Sequence, residues 1–260
     1  MTEVKNRFYF WIRRLVGPLF MLLFPLDVSG RENLPDEPVI VVANHSQMYG
    51  PIAGELYFPG KHYIWCAGQM MHWKEAPAYA FEDFWSQKPK RSQWFFKIAS
   101  YLITPLCVLV FNHARTIPVY HDARLRSTFR ISLEKLQTGA SIIIFPEHDV
   151  KFNHIVYDFQ DKFIDTARMY YQKTGVVLSF VPMYIAPKLG VMQLGKPIRF
   201  NPDTPIKGER ARICDALKQE ITNIACALPE HTVVPYRNIP KKLYPSNISN
   251  EVTYHEETCC

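Results

Sequence analysis

The sequence predicts an α/β fold, a mostly parallel sheet with helices on both faces, preceded by an N-terminal amphipathic membrane-associating segment. Three observations carry that reading. Short runs such as "PVIVVA" at 38–43 and "SIIIF" at 141–145 are apolar without alternation, as strands covered on both faces are. Segments of helical period lie between such runs. Strands alternating with helices place those helices on either side of a parallel sheet. A chain of 260 residues with 48% hydrophobic and 21% charged residues has material for one core and is not a multi-span membrane protein. The division expected is a membrane-associating segment over 1–30, an α/β domain over 31–228 and an irregular tail over 229–260.

In chain order, residues 8–27 carry Arg13-Arg14 among aromatics, then an uncharged run from Leu15 to Leu26. As a helix that run covers roughly 18 Å against a hydrocarbon core of about 30 Å, so it lies in the interface plane or packs as a core helix. Strands follow at 38–43 and 62–66, then a largely helical region from Met70 to Trp85 and a basic loop at 86–93. A second apolar run, Ile98 to Phe111, contains Pro105 and also falls short of the ~20 residues a spanning helix needs; it too is interfacial or core. A strand at 116–120 leads to a helix with Leu125, Phe129, Leu133 and Leu136 on one face, closed by Gly139. The strand at 141–145 comes next. Phe159, Phe163, Ala167 and Tyr170 at helical spacing predict a helix ended by Gly175. A long strand at 176–186, two short ones within 191–200 and a helix over 207–227 complete the domain.

The formal net charge of +6 suits anionic partners such as phospholipid headgroups, coenzyme A phosphates or an acidic carrier protein. Lys and Arg are scattered and no nucleic-acid module is recognisable, which argues against nucleic acid. The cysteines at 66, 107, 214 and 226 sit in apolar or helical surroundings and read as buried thiols of a reducing compartment. None stands in a CxxC pair with matching histidines, so no metal site is expected. Cys259-Cys260 is an exposed tail or a lipidation site. No signal-peptide cleavage pattern follows the first apolar stretch, which points to the cytoplasmic face of a membrane, peripheral or monotopic.

Ligands of open parallel sheets sit beyond the C-terminal ends of strands. Three such ends stand out: Asn44-His45 after "VVA", Phe145-Pro146-Glu147-His148-Asp149 after "SIII", and "VPMY" at 181–184. With "RTIPVYHD" at 115–122, these blocks resemble the four motifs of the glycerolipid acyltransferases typified by lysophosphatidic-acid acyltransferase, in the same order, over roughly residues 10 to 225. The resemblance implies acyl transfer from acyl-CoA or acyl carrier protein, as donor substrate and with no cofactor, to a lysophospholipid or related glycerolipid hydroxyl. In that reading His45 is the general base, Glu147 its catalytic partner, and Asn44, Ser46, Arg115, His148 and Asp149 bind substrate. The alternative is a catalytically silent lipid- or acyl-CoA-binding protein on the same scaffold; a thioesterase-like hydrolase is a third reading.

Two departures matter. The family's NHxxxxD block ends in an aspartate that orients the histidine, and here that position is Gly50. In a serine-protease triad the loss of the orienting aspartate costs roughly 10⁴ in turnover. Glu147, Glu55 and Asp149 are the carboxylates available as substitutes, and Glu147 ranks first. The family's phosphate-holding arginines are also missing from the second and third blocks, which favours a headgroup other than that of lysophosphatidic acid.

Overall fold

The computed structural model describes residues 14, 17–86 and 88–248. The expectations for residues 1–13 and for Cys259-Cys260 lie outside the described residues. Helix α1 is described over residues 17–23. The strands are β1 (Asp27–Ser29), β2 (Ile40–Ala43), β3 (His62–Ala67), β4 (Thr116–Val119), β5 (Ser141–Ile144), β6 (Glu147–Asn153), β7 (Val156–Phe159), β8 (Ser179–Ala186), β9 (Val191–Leu194) and β10 (Ile198–Arg199). The further helices are α2 (Tyr49–Tyr57), α3 (Ala76–Trp85), α4 (Gln93–His113), α5 (Leu125–Gln137), α6 (Asp165–Thr174) and α7 (Ile206–Ala227).

The main sheet runs in the order β1-β9-β8-β2-β5-β3-β4, with β10 pairing β8. Strands β2, β3, β4, β5 and β8 are mutually parallel, and β9 and β10 return antiparallel to β8. Alternate side chains of a strand face opposite ways. Ile40 and Val42 therefore join Ile142, Ile144 and Phe180 in the core that α5, α6 and α7 cover. Val41 and Ala43 join Ile143, Val181 and Met183 in the core beneath α2. All four β2 side chains are fully buried, and each of its Val and Ile residues contributes roughly 1.5–3 kcal/mol by burial. Strand β2 is thereby fixed from both faces, and His45 leaves its end two residues later.

Three elements differ from the sequence reading. Phe159, Phe163, Ala167 and Tyr170 do share one core, but Phe159 closes β7, Phe163 lies in a 3-10 turn, and the helix begins only at Asp165. A common buried side imitated a helical period across three kinds of structure. The hairpin β6–β7, a separate two-stranded sheet, was not expected. The second apolar run is part of a longer helix: α4 has 21 residues, and with the preceding turn Lys90–His113 is long and apolar enough to cross a membrane, at mean hydropathy 1.8. Lys97 ended the run on paper, yet its ammonium lies 5.5 Å from the centre of the Phe81 ring and the helix passes through it. One face of α4 packs on α3. The other exposes Trp94, Phe95, Ile98, Tyr101, Leu102 and Leu106, with Leu102 at 76% exposure.

The segment after α7 has little regular structure but is firmly attached. Buried Asn247 accepts from the His231 N–H and donates to the Ala225 carbonyl, at 2.8 and 2.9 Å. Tyr184 of β8 meets His231 Nε2 at 2.9 Å. Between these anchors the chain crosses the C-terminal end of the sheet.

Candidate active site

The loop between β2 and α2 is the centre of the site. Ser46 and Gln47 both have left-handed backbones, φ 45° and 55°, a pairing that non-glycine residues adopt at about 1–3 kcal/mol each. Local bonds hold it. Asn44 Nδ2 donates to Ser46 Oγ at 2.8 Å, and Gln47 Nε2 donates to the Tyr244 hydroxyl at 2.7 Å. The turn brings the Gln47 carbonyl back onto His45 Nδ1 at 2.6 Å. A carbonyl only accepts, so Nδ1 carries the ring proton and Nε2 is left as a lone-pair base.

The imidazole is half-buried between Phe145, 5.4 Å away edge-on, and Tyr236, 4.6 Å away. Its ring faces cavity space and aromatic walls in place of bulk water, and this desolvation lowers its pKa to about 4 against the bond from Gln47. The ring is neutral throughout the physiological range.

Glu147 is not the partner of that ring. Its Oε1 accepts from the backbone N–H of His45, and its Oε2 accepts from the Tyr157 N–H at 2.7 Å. Burial pushes its pKa up to about 7 against those two donors. Glu147 ties the end of β2 to the β6–β7 hairpin, so it positions the loop and does not orient the base. The other two candidate carboxylates are also engaged elsewhere. Glu55 faces His62 at 3.7 Å, and Asp149 pairs with Arg237 at 3.0 Å, holding the C-terminal segment. Among the described residues the group bonded to the imidazole is a main-chain carbonyl, that of Gln47.

Gly50 explains why. A Cβ built there falls 2.2 Å from the His45 carbonyl oxygen and 2.9 Å from its carbon. The first turn of α2 sits directly on the backbone of the histidine, and no side chain fits between them.

The remaining expected substrate contacts are redistributed. Buried Asn44 accepts from the Ile185 N–H at 2.7 Å and donates to the Ile185 carbonyl at 3.0 Å, stitching β2 to β8 and leaving nothing for substrate. Ser46 is buried with its hydroxyl against Asn44. Arg115 is exposed and precedes β4, at the opposite end of the sheet from His45. His148 lies beside Asp158 on the hairpin and lines neither cavity at the site.

Two cavities meet at His45. One, of about 770 Å³, runs over the ends of β3, β4 and β5 and is walled by apolar residues including Ile52, Met70, Val110, Phe111, Phe129 and Phe145. The other, of about 580 Å³, lies under the C-terminal segment and carries Gln47, Lys188, Asn238, Lys241 and Tyr244. His45, Met48, Asp83, Phe84 and Tyr236 line both. Gln47, Tyr236, Lys188 and Lys241 were not singled out from the sequence. Gln47 acts through a carbonyl that every residue has, and the other three are brought in by a strand exit and a tail without periodicity.

Comparison with known proteins adds little to this geometry. No family model matches the chain, and no curated protein does. Among solved structures it is similar to the 1-acyl-sn-glycerophosphate (LPA) acyltransferase PlsC from Thermotoga maritima, with 15% identity and a TM-score of 0.49, over 88% of this chain and 86% of that one. A likeness this shallow carries no weight for the chemistry, which stands on the residues described above.

Proposed function

We propose that this protein transfers an acyl group from an acyl thioester to the hydroxyl of a lysophospholipid or related glycerolipid, with His45 as general base. One observation carries the reading: a neutral imidazole of fixed tautomer, its Nε2 free among the described residues, stands where an apolar cavity meets a polar one. The apolar cavity suits an acyl chain. The acceptor hydroxyl, held at the junction, gives its proton to Nε2 as its oxygen attacks the thioester carbon. The tetrahedral intermediate then expels the thiolate, which takes the proton back from Nε2, so ester and free thiol leave and the imidazole is restored.

The missing aspartate weakens this catalyst without abolishing it. The roughly 10⁴-fold loss in triads arises when the orienting group imposes the wrong tautomer. The Gln47 carbonyl imposes the right one, but as a neutral dipole it stabilises the imidazolium less than a carboxylate does. That same lack of charge is what favours the second reading, a silent lipid-binding protein.

The exposed apolar face of α4 and the exposed Leu19, Leu22 and Leu23 of α1 support a membrane surface as the place of work. Phe20 of α1 and Val110 of α4 line the apolar cavity, which sets both helices at its walls. Incubating the full chain with acyl-CoA or acyl carrier protein and a panel of lysolipids tests the proposal. Ester formation that falls 10²–10⁴-fold in His45→Ala is expected. Binding of lysolipid with no ester in the wild type supports the silent reading, and ester formation indifferent to His45→Ala refutes the base.

A further inference from the structure

The chain after α7 closes on itself before it reaches the site. Thr232 and Ser246 pair as an isolated antiparallel bridge, the Val233 N–H donates to the Pro245 carbonyl at 2.8 Å, and the Asn247 N–H donates to the His231 carbonyl at 3.0 Å. The residues between these pairs form a surface loop with joined ends, a shape that holds its tip without regular structure. The body of the protein grips the loop as well. His154 Nε2 lies 2.7 Å from the Ser246 carbonyl, and Asn238 Nδ2 donates to the Phe84 carbonyl at 3.1 Å. Two tyrosines of this loop reach the site. The Tyr236 ring stands 4.6 Å from the His45 ring, and the Tyr244 hydroxyl, at the end of the turn Lys241–Leu243, accepts from Gln47 Nε2 at 2.7 Å.

Left-handed backbone at two successive non-glycine residues persists only where the surroundings hold it. Ser46 is held by Asn44 within its own loop, whereas the side-chain bond on Gln47 goes to a residue 197 positions away. The Gln47 carbonyl in turn accepts from His45 Nδ1. The tautomer of an imidazole is set by the bond its other nitrogen makes, and a side chain without such a bond favours the proton on Nε2, where it removes the lone pair. We propose that Tyr244 is a positioning residue: by holding the Gln47 side chain it keeps the left-handed turn closed, and so keeps His45 with its lone pair at Nε2. The inference rests on the proposed transfer for the role of His45. It adds that the base is set from the C-terminal segment, outside the part of the chain that bears the sequence blocks.

Three variants of the full chain separate this role from general support of the fold. Tyr244→Phe removes the acceptor, Gln47→Ala removes the donor and keeps the backbone strain, and Gln47→Gly removes donor and strain together, since glycine takes positive φ freely. The ¹⁵N spectrum of the histidine rings, with the His45 signals identified by their loss in His45→Ala, reads the tautomer and needs no substrate. Wild type is expected to show Nδ1–H, and Tyr244→Phe and Gln47→Ala a shift toward Nε2–H. Gln47→Gly is expected to show the wild-type pattern, unchanged when Tyr244→Phe is added. In ester formation Tyr244→Phe and Gln47→Ala lower kcat about tenfold and leave KM within about twofold, the loss expected of a misaligned base, and Gln47→Gly/Tyr244→Phe recovers most of it. A wild-type tautomer in both Tyr244→Phe and Gln47→Ala overturns the inference, as does a loss in Tyr244→Phe that Gln47→Gly leaves uncorrected. The tautomer shift, combined with no ester from wild type on any acceptor, keeps the positioning role and sinks the transfer reaction it was meant to serve.

Discussion

Replacing Gly50 by aspartate would complete the acyltransferase motif that this loop only resembles, and the structure predicts that it damages the protein instead. Any Cβ at position 50 meets the His45 carbonyl oxygen at 2.2 Å, where contacts under 3.0 Å are essentially never seen. The first turn of α2 must retreat by roughly 0.8 Å, and the obstacle is backbone, which cannot swing aside as a side chain can. Behind α2, Ala53 and Phe58 are buried in the core against Val41 and Ile143, so the retreat opens one contact to relieve another. Overpacking of this kind costs about 1–3 kcal/mol, and the backbone clash places Gly50→Ala near the upper end. For a chain of this size that lowers Tm by roughly 5–10 °C. Activity is expected to fall further than stability does, because the displaced carbonyl belongs to His45, the proposed base, and a shift near 1 Å can cost about 10²-fold. Thermal or urea unfolding of Gly50→Ala and Gly50→Asp, beside ester formation by each, checks the reasoning. A Gly50→Asp protein as stable as wild type and more active would refute it.

Three further outcomes are expected. The His45 ring, with its pKa lowered to about 4, shows no titration of its NMR signals between pH 5.5 and 8; a midpoint near 6.5 contradicts the desolvated site. In Glu147→Gln one backbone donor, from His45 or Tyr157, loses its acceptor, a loss of about 1–3 kcal/mol. The Glu147 carboxyl, raised to about 7, binds its proton in the folded state before the unfolded chain does, so its contribution is full below pH 4.5 and lost as pH rises through 7. Wild type therefore gains on Glu147→Gln as pH falls across that window, by on the order of 3 kcal/mol in urea unfolding, and a gap that narrows instead defeats the assignment. Leu102→Asp and Leu106→Asp, on the exposed face of α4, leave the free energy of urea unfolding within about 0.5 kcal/mol of wild type but reduce flotation with anionic vesicles several-fold; undiminished flotation removes α4 from the membrane contact.

Much of the scaffold was legible because its signals are local. The uninterrupted apolar runs of β2 and β5 announce strands buried on both faces, and Leu125 to Leu136 announces one face of α5. The strand-end rule then put His45 and Glu147 together correctly, since β2 and β5 are neighbours in the sheet. What the residues do to each other was less legible. The sequence offers three carboxylates for the imidazole but cannot show that two left-handed residues turn a carbonyl onto it first. The polar cavity was hidden for another reason. Its far wall comes from the segment after α7, which is held by single side chains such as Asn247 and His231 and has no period to betray it.

Asn44 and Glu147 carry a consequence for how such signatures are read. Each uses both ends of its polar head on main-chain groups, Asn44 on Ile185 of β8, Glu147 on His45 and Tyr157. Among the described residues, of the polar side chains in "NHS" and "FPE" only the imidazole keeps a polar atom, Nε2, without a protein partner where the two cavities meet. A chain can therefore keep both words of the signature as carpentry after its reaction has changed or vanished, and a match to them certifies the bend of the backbone before it certifies any turnover.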